Sequence, residues 1–289
     1  MKVLIAGGGG QVGRALLRSV PSDHAVHAPD RRELDITSEE SVRATVRKMQ
    51  PDVIVNVAAY TAVDRAESEV DQCNQVNAQG AQYLAQCAQE CGARLLQVST
   101  DYVFDGTSTT PYQADASPRP LNVYGESKLR GERAVLETLA DRAVVLRTAW
   151  VYAAAGSNFL RTMLRLMSER RQVRVVSDQV GSPTAARSIA DVLWRLVART
   201  DAHGIHHWTD AGVASWYDFA VAIAEEGAAL KLLPPQIEVS PISTQEYPTP
   251  ARRPAYSVLD KRATCALLGL QPVHWRTSLR AVMSEIASG

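Results

Sequence analysis

Hydrophobic positions in the first half of the chain fall in short, wholly apolar runs, separated by longer segments of helical period. Val3-Leu4-Ile5-Ala6 reads as a buried strand, followed by a helix from about Gln11 to Ser19. Ala25-Val26-His27-Ala28 is a second strand. Ser38 suits a helix N-cap, with Glu39 and Glu40 favourably placed at the positive end of a helix that Pro51-Asp52 stops. Val53-Ile54-Val55 is the next strand. One long helix is then expected to run to about Glu90 and end at Gly92, a natural left-handed cap. Leu95-Leu96-Gln97-Val98 and Ala143-Val144-Val145-Leu146 are further strands, with a helix starting near Asn122 between them. Strands that are apolar throughout need cover on both faces, which predicts an α/β fold with a doubly wound parallel sheet. After about Trp150 the rhythm loosens and prolines accumulate. That half reads as a smaller C-terminal lobe that partly contributes to the sheet and closes over its carboxyl edge.

Composition narrows the classes of function. The 289 residues carry 31 basic and 31 acidic side chains, so no basic excess points to nucleic acid or to an anionic membrane. No run of about 18 apolar residues exists to span a bilayer. The N-terminal apolar run breaks into glycine at Gly7, too early for a signal peptide, so a cytoplasmic location is expected. Cys73, Cys87, Cys91 and Cys265 form no disulfide framework and read as reduced, structural thiols. His206-His207, in an expected strand, also reads as structural.

Two motifs carry chemistry. Gly7, Gly10 and Gly13 lie between the first strand and the first helix. Glycines there permit a tight turn, let backbone approach a pyrophosphate and allow the helix to pack closely on the sheet. The helix N-terminus then offers free N–H groups to phosphate. This makes the sheet Rossmann-type, with residues 1–150 as an NAD(P)-binding domain and residues 151–289 mainly a substrate-binding lobe, across a soft boundary with segments returning to the first domain. Asp30 and Arg31 follow the second strand. The acid suits a ribose 2′-hydroxyl and the arginine a 2′-phosphate, so NADPH is favoured and NADH stays an alternative. Asp35 and Ile36 are placed beside the adenine, and Ala58, Ala59, Tyr60 and Thr61 at the ribose and nicotinamide side.

The second motif is Tyr124 and Lys128, four apart and so on one helical face. A phenol titrates at about 10, and a neighbouring ammonium would lower that value and ease proton transfer to a carbonyl oxygen. The same lysine can bond the ribose hydroxyls. Upstream, Thr100 closes the strand that begins at Leu95, where a hydroxyl points into the ligand crevice and can polarise a substrate oxygen. Ser99 is the other candidate, but adjacent strand residues point in opposite directions. Asp101, next to Thr100, is a candidate substrate contact. No metal site is assigned.

With these motifs and the serial segments GGGGQVG, PDVIVNVAAYTAVDRAE, STDYVFDG, PLNVYGESK, LRTAWVY, NFLRTML, DQVGSPT, WYDFA and YPTPARRP, the chain resembles the extended short-chain dehydrogenase/reductase superfamily. More narrowly it is similar to the dTDP-4-dehydrorhamnose reductase family. The resemblance implies NAD(P)H-driven reduction of a dTDP-4-keto-6-deoxysugar, dTDP-4-dehydro-L-rhamnose, through a Thr100–Tyr124–Lys128 triad. It puts Gly10, Gln11 and Val12 in the phosphate-binding turn and Trp150 against the sugar. It places Asn158, Phe159 and residues 179–184 in the pocket, and Arg252 and Arg253 on the diphosphate. Some members of the family bridge a dimer with Mg²⁺ held by carboxylates. Ala15 and Arg187 stand at the corresponding positions here, so that bridge is not expected, and a monomer or weak homodimer is. Three alternatives stay open: reduction of a different dTDP-4-keto-6-deoxysugar, a non-catalytic NADP-binding regulatory subunit, and an epimerase with tightly held NAD.

Overall fold

The computed structural model describes all 289 residues. The first half contains β1 (Lys2–Ala6), α1 (Gln11–Arg18), β2 (Ala25–His27), α2 (Glu39–Met49), β3 (Val53–Asn56), α3 (Val63–Ala66), α4 (Val70–Asn74), α5 (Gly80–Cys91), β4 (Arg94–Thr100), α6 (Val123–Leu139) and β5 (Ala143–Thr148). The second half contains β6 (Val151–Tyr152), α7 (Phe159–Glu169), β7 (Gln172–Val176), β8 (Val180–Gly181), β9 (Thr184–Ala185), α8 (Ala186–Ala198), β10 (Gly204–His207), β11 (Ala214–Ser215), α9 (Trp216–Ala229), β12 (Glu238–Ile242), α10 (Arg262–Leu268) and α11 (Trp275–Ala287).

Six strands form one sheet in the order β10-β5-β4-β3-β1-β2, and every pairing is parallel. Alternation along the apolar strands supplies both faces. Val3, Ile5, Val53, Val55, Val144 and Leu146 meet α1 and α8 on one side. Leu4, Ile54, Leu95 and Ala143 meet α2, α5 and the end of α6 on the other. The β1–β3 junction, where chain order reverses across the sheet, is the topological switch point at which such folds bind ligands.

The expected caps form. The Ser38 side chain accepts the Ser41 N–H at the start of α2, and Gly92 ends α5 with a φ of +76°. The single long helix before Gly92 does not. It divides into α3, α4, a π turn at Gln75–Gln79 and α5. A π turn widens the helix by one residue, and such turns concentrate at functional sites. Here it carries Asn77 towards α6.

In the second half, α8 packs against α1, and β10 joins the main sheet beside β5. A separate core gathers Tyr152, Phe219, Trp275 and Met283 from β6, α9 and α11. His207 on β10 is buried, and its Nδ1 lies 3.1 Å from the Tyr112 carbonyl. Burial pushes its pKa down to about 3, so it sits in the core as a neutral ring.

Behind the catalytic helix lies a buried ion pair. Arg147 on β5 donates from Nε and Nη2 to the two oxygens of Glu132 on α6, at 2.9 and 2.7 Å, and its guanidinium also lies over Phe104. A buried charge that loses its partner is strongly destabilising. Glu132→Ala should therefore lower unfolding stability by about 3–5 kcal/mol, read as a reduced urea midpoint. Replacing both partners with apolar residues of similar size should recover most of that loss.

Candidate active site

The phosphate turn follows from glycine sterics. Gly7 has φ +90°, and a Cβ there would sit 2.5 Å from Ala58 N, so β1 and the end of β3 can meet only through glycine. A Cβ at Gly13 would sit 2.3 Å from Gly7 O, whereas one at Gly9 would meet nothing within 4 Å. The turn is thus closed towards the sheet and open outward. No side chain caps α1 and no acid lies in its first turn. Its leading N–H groups are free for an anion, which fits the pyrophosphate expected at Gly10, Gln11 and Val12. Asn158, the N-cap of α7, donates to Gln11 Oε1 at 2.8 Å and ties the second lobe to this turn.

Beyond β2, Asp30 and Arg31 separate. Asp30 Oδ1 accepts the N–H groups of Arg32 and Glu33, which turns it into its own loop. Arg31 is exposed, and its guanidinium makes no hydrogen bond. The geometry leaves the cation as the freer of the two for a ribose substituent. Asp35 accepts from both the N–H and the hydroxyl of Thr37, and those bonds hold its carboxyl below the usual range. Ile36 is buried and lies against Gly80, so it forms part of the wall beneath rather than an open surface.

Residues 58–61 are held by a residue that sequence reasoning missed. Asn77, buried on the π turn, accepts the Tyr60 N–H and donates to the Tyr60 carbonyl and to Ser127 Oγ on α6. Its local signal was weak, a polar residue inside a segment read as plain helix. Gly131 on α6 lets the π turn approach, since a Cβ there would sit 2.2 Å from Asn77 O. The Tyr60 phenol turns away and donates to Glu69 at 2.5 Å.

The chemical groups converge at the carboxyl end of β4. Asn122 caps α6 by accepting the Gly125 N–H at 2.8 Å. Gly125 allows the first turn of α6 to lie on the Tyr102 carbonyl, where a Cβ would sit 2.2 Å away. Tyr124 then meets Thr100, and its ring stands edge-on to Tyr102 with centroids 5.7 Å apart. Burial pushes the Tyr124 phenol above its ordinary value; the bond to Thr100 opposes this and the nearby Asp101 adds to it. Lys128 is buried and donates to the Val98 carbonyl at 2.6 Å. Burial pulls its pKa down to about 8, opposed by Glu132 one turn later. The lowering of Tyr124 by Lys128 expected from their spacing is therefore not what the fold produces. Desolvation dominates at Tyr124, and the Lys128 ammonium is turned towards β4.

One further expectation is redrawn. Arg253 is not free for a diphosphate. It donates to both oxygens of Asp64, at 3.0 and 2.7 Å, and to Thr249 Oγ1 and the Ala251 carbonyl. A neighbouring carboxylate satisfied the guanidinium, and the two are 189 positions apart in the chain. Arg252 is exposed with no partner for its guanidinium, while its carbonyl accepts from Asn122 at 2.8 Å. Trp150, just past β5, is stacked on Trp216 with centroids 3.5 Å apart and rings 2° from coplanar. Its φ is +50°, and Gly181 closes on the same indole. Phe159 joins this aromatic group, and Gln179 accepts from Trp216 Nε1. A cavity of about 650 Å³ lies elsewhere, between α1, α8 and α11. Ala15 and Arg187 line it, and Thr100, Tyr124 and Lys128 do not, so it is separate from the reaction crevice.

Residues 1–288 match the family described as RmlD substrate binding domain. The chain is 43% identical to the dTDP-4-dehydrorhamnose reductase of Aggregatibacter actinomycetemcomitans, over 97% of this chain and 98% of that protein. It is 38% identical to the enzyme of the same description from Escherichia coli K12, over 99% and 98%. Among solved structures, that of the Bacillus anthracis dTDP-4-dehydrorhamnose reductase in complex with NADP superposes with a TM-score of 0.92 at 35% identity, covering 98% of this chain and 99% of that one.

Asn77→Ala would leave the Tyr60 backbone groups without their partner. A loss of about 1–3 kcal/mol is expected, with faster amide hydrogen exchange at Tyr60 as the local readout.

Proposed function

The chain belongs to the RmlD substrate binding domain family, and we propose that it reduces the C4 keto group of dTDP-4-dehydro-L-rhamnose to give dTDP-L-rhamnose. The observation that carries this reading is the convergence of Tyr124, Thr100 and Lys128 in one desolvated crevice beside an open phosphate turn.

NADPH, when bound, supplies the reducing equivalent as hydride to C4. The glycine turn and the N-terminus of α1 hold its pyrophosphate, and Arg31 suits the 2′-phosphate, with NADH as the alternative donor. Lys128 has N–H groups beyond the one given to Val98, and these suit the ribose hydroxyls. Tyr124 acts as the proton donor. Its raised pKa keeps the phenol protonated near neutrality, so it is in its donor form when the keto oxygen gains negative charge. Losing that proton leaves a partly buried phenolate, which Lys128, one turn along α6, can stabilise once the site is filled. The second lobe grips the nucleotide, with Arg252 the available cation and Trp150 a wall for the sugar. No step needs a metal.

The assay is consumption of NADPH with the 4-keto sugar nucleotide, followed by NMR of the product. Tyr124→Phe should reduce kcat by at least about 10²-fold and leave NADPH affinity within about twofold, since the hydroxyl acts on the reacting oxygen. Unchanged turnover would remove Tyr124 from the reaction. Bound NADPH without turnover in the unmodified protein would favour the regulatory-subunit reading.

A further inference from the structure

The Thr100 hydroxyl has one proton and two lone pairs, and the fold occupies all three. It donates to Asp101 Oδ1 at 3.0 Å, accepts the Tyr102 N–H at 3.2 Å and meets the Tyr124 phenol. In that state it has no proton left for a substrate oxygen. Yet polarising that oxygen is the work the reductase reading gives it.

Asp101 is the group that holds the Thr100 proton. Its side chain is buried and its Oδ2 has no hydrogen-bond partner. The groups facing it are Thr100 at the end of β4, Tyr102 on the next turn, Tyr124 from α6 and the Ser257 hydroxyl from the C-terminal segment. No cation pairs with it. Arg253 lies near Tyr102 but is paired with Asp64, and the Lys128 ammonium bonds the Val98 carbonyl. A buried carboxylate with only neutral donors and no counter-charge is unfavourable, whereas the neutral acid removes the charge and gains a donor.

We propose that Asp101 works as a neutral carboxylic acid that donates to Thr100 Oγ1, so that the Thr100 proton turns to the C4 oxygen of the substrate. Asp101 is then a positioning residue, acting through Thr100. Two donors, Tyr124 and Thr100, face the keto oxygen only in this state. Burial supports it by pushing the Asp101 carboxyl up to about 6. The sign follows directly. Below that value Asp101 is protonated and Thr100 is free to donate; as pH rises through it, the carboxylate takes the Thr100 proton back and activation is lost.

This inference rests on the reductase reading, and its test separates the two. The kcat and KM of the full chain with NADPH and the 4-keto sugar nucleotide would be measured against pH for the unmodified protein, Asp101→Asn and Asp101→Ala. Asparagine can donate to Thr100 at every pH. Asp101→Asn should keep kcat within about threefold of the unmodified protein at low pH and lose the falling limb, which in the unmodified protein drops about tenfold per pH unit once the acid is ionised. Asp101→Ala should lose at least about thirtyfold in kcat with NADPH affinity nearly unchanged. A limb that persists in Asp101→Asn would overturn the proposal, as would an Asn variant that binds NADPH normally yet is as inactive as the Ala variant. Carbon-13 NMR of the aspartate carboxyls, by difference against Asp101→Asn, reads the same group without turnover. A resonance titrating near pH 6 supports the proposal, and one titrating below about 4.5, where ordinary aspartates lie, overturns it. Absence of turnover in the unmodified protein would count against the reductase reading, while the carboxyl titration still decides whether Asp101 is held neutral.

Discussion

The site depends on how closely α6 can approach the end of β4 and the π turn. Two glycines set that distance. Gly125 lets the first turn of α6 rest on the Tyr102 carbonyl, and Gly131 lets its middle rest on Asn77. Their spacing brings a partly buried Tyr124 and a buried Lys128 into one crevice. Desolvation then decides the chemistry. It favours the neutral phenol at Tyr124, brings Lys128 down to about 8 and Asp101 up to about 6. A site built this way keeps the Tyr124 phenol in its proton-donating form near neutrality, while Thr100 donates to substrate only below the Asp101 value.

The same burial needs support from behind. The Glu132–Arg147 pair ties α6 to β5, and Glu132 also keeps the Lys128 ammonium from being pulled lower. Asn77 links Tyr60, on the cofactor side, to Ser127 on α6. Asn122 links the start of α6 to the carbonyl of Arg252, in the C-terminal segment. These bonds join the turn, the helix and the second lobe, so the reacting groups sit on regular elements and not on loose loops.

Much of this was legible from local patterns. The apolar runs, the glycine turn, the Ser38 cap and the Gly92 cap each depend on residues within a few positions, and the structure has them where they were expected. The four-residue spacing of Tyr124 and Lys128 placed both on α6. What escaped depends on distant partners. Arg253 finds Asp64 across 189 positions, and Trp150 finds Trp216 across the second lobe. The π turn interrupts a helical period that continues on both sides, so periodicity alone shows no break. The electrostatic expectation at Tyr124 failed for a different reason. Spacing brings charges near each other but says nothing of the water removed around them, and here that removal is the larger effect.

The central claim is a transfer to carbon accompanied by protonation of oxygen in this crevice. Reduction of the dTDP-4-keto sugar with NADPH carrying deuterium at both nicotinamide C4 positions tests it most directly, with the product read by NMR. One deuterium at C4 of dTDP-L-rhamnose, with stoichiometric consumption of NADPH, is the predicted result. Sugar returned without deuterium at C4, or with no net consumption of NADPH, would contradict the account.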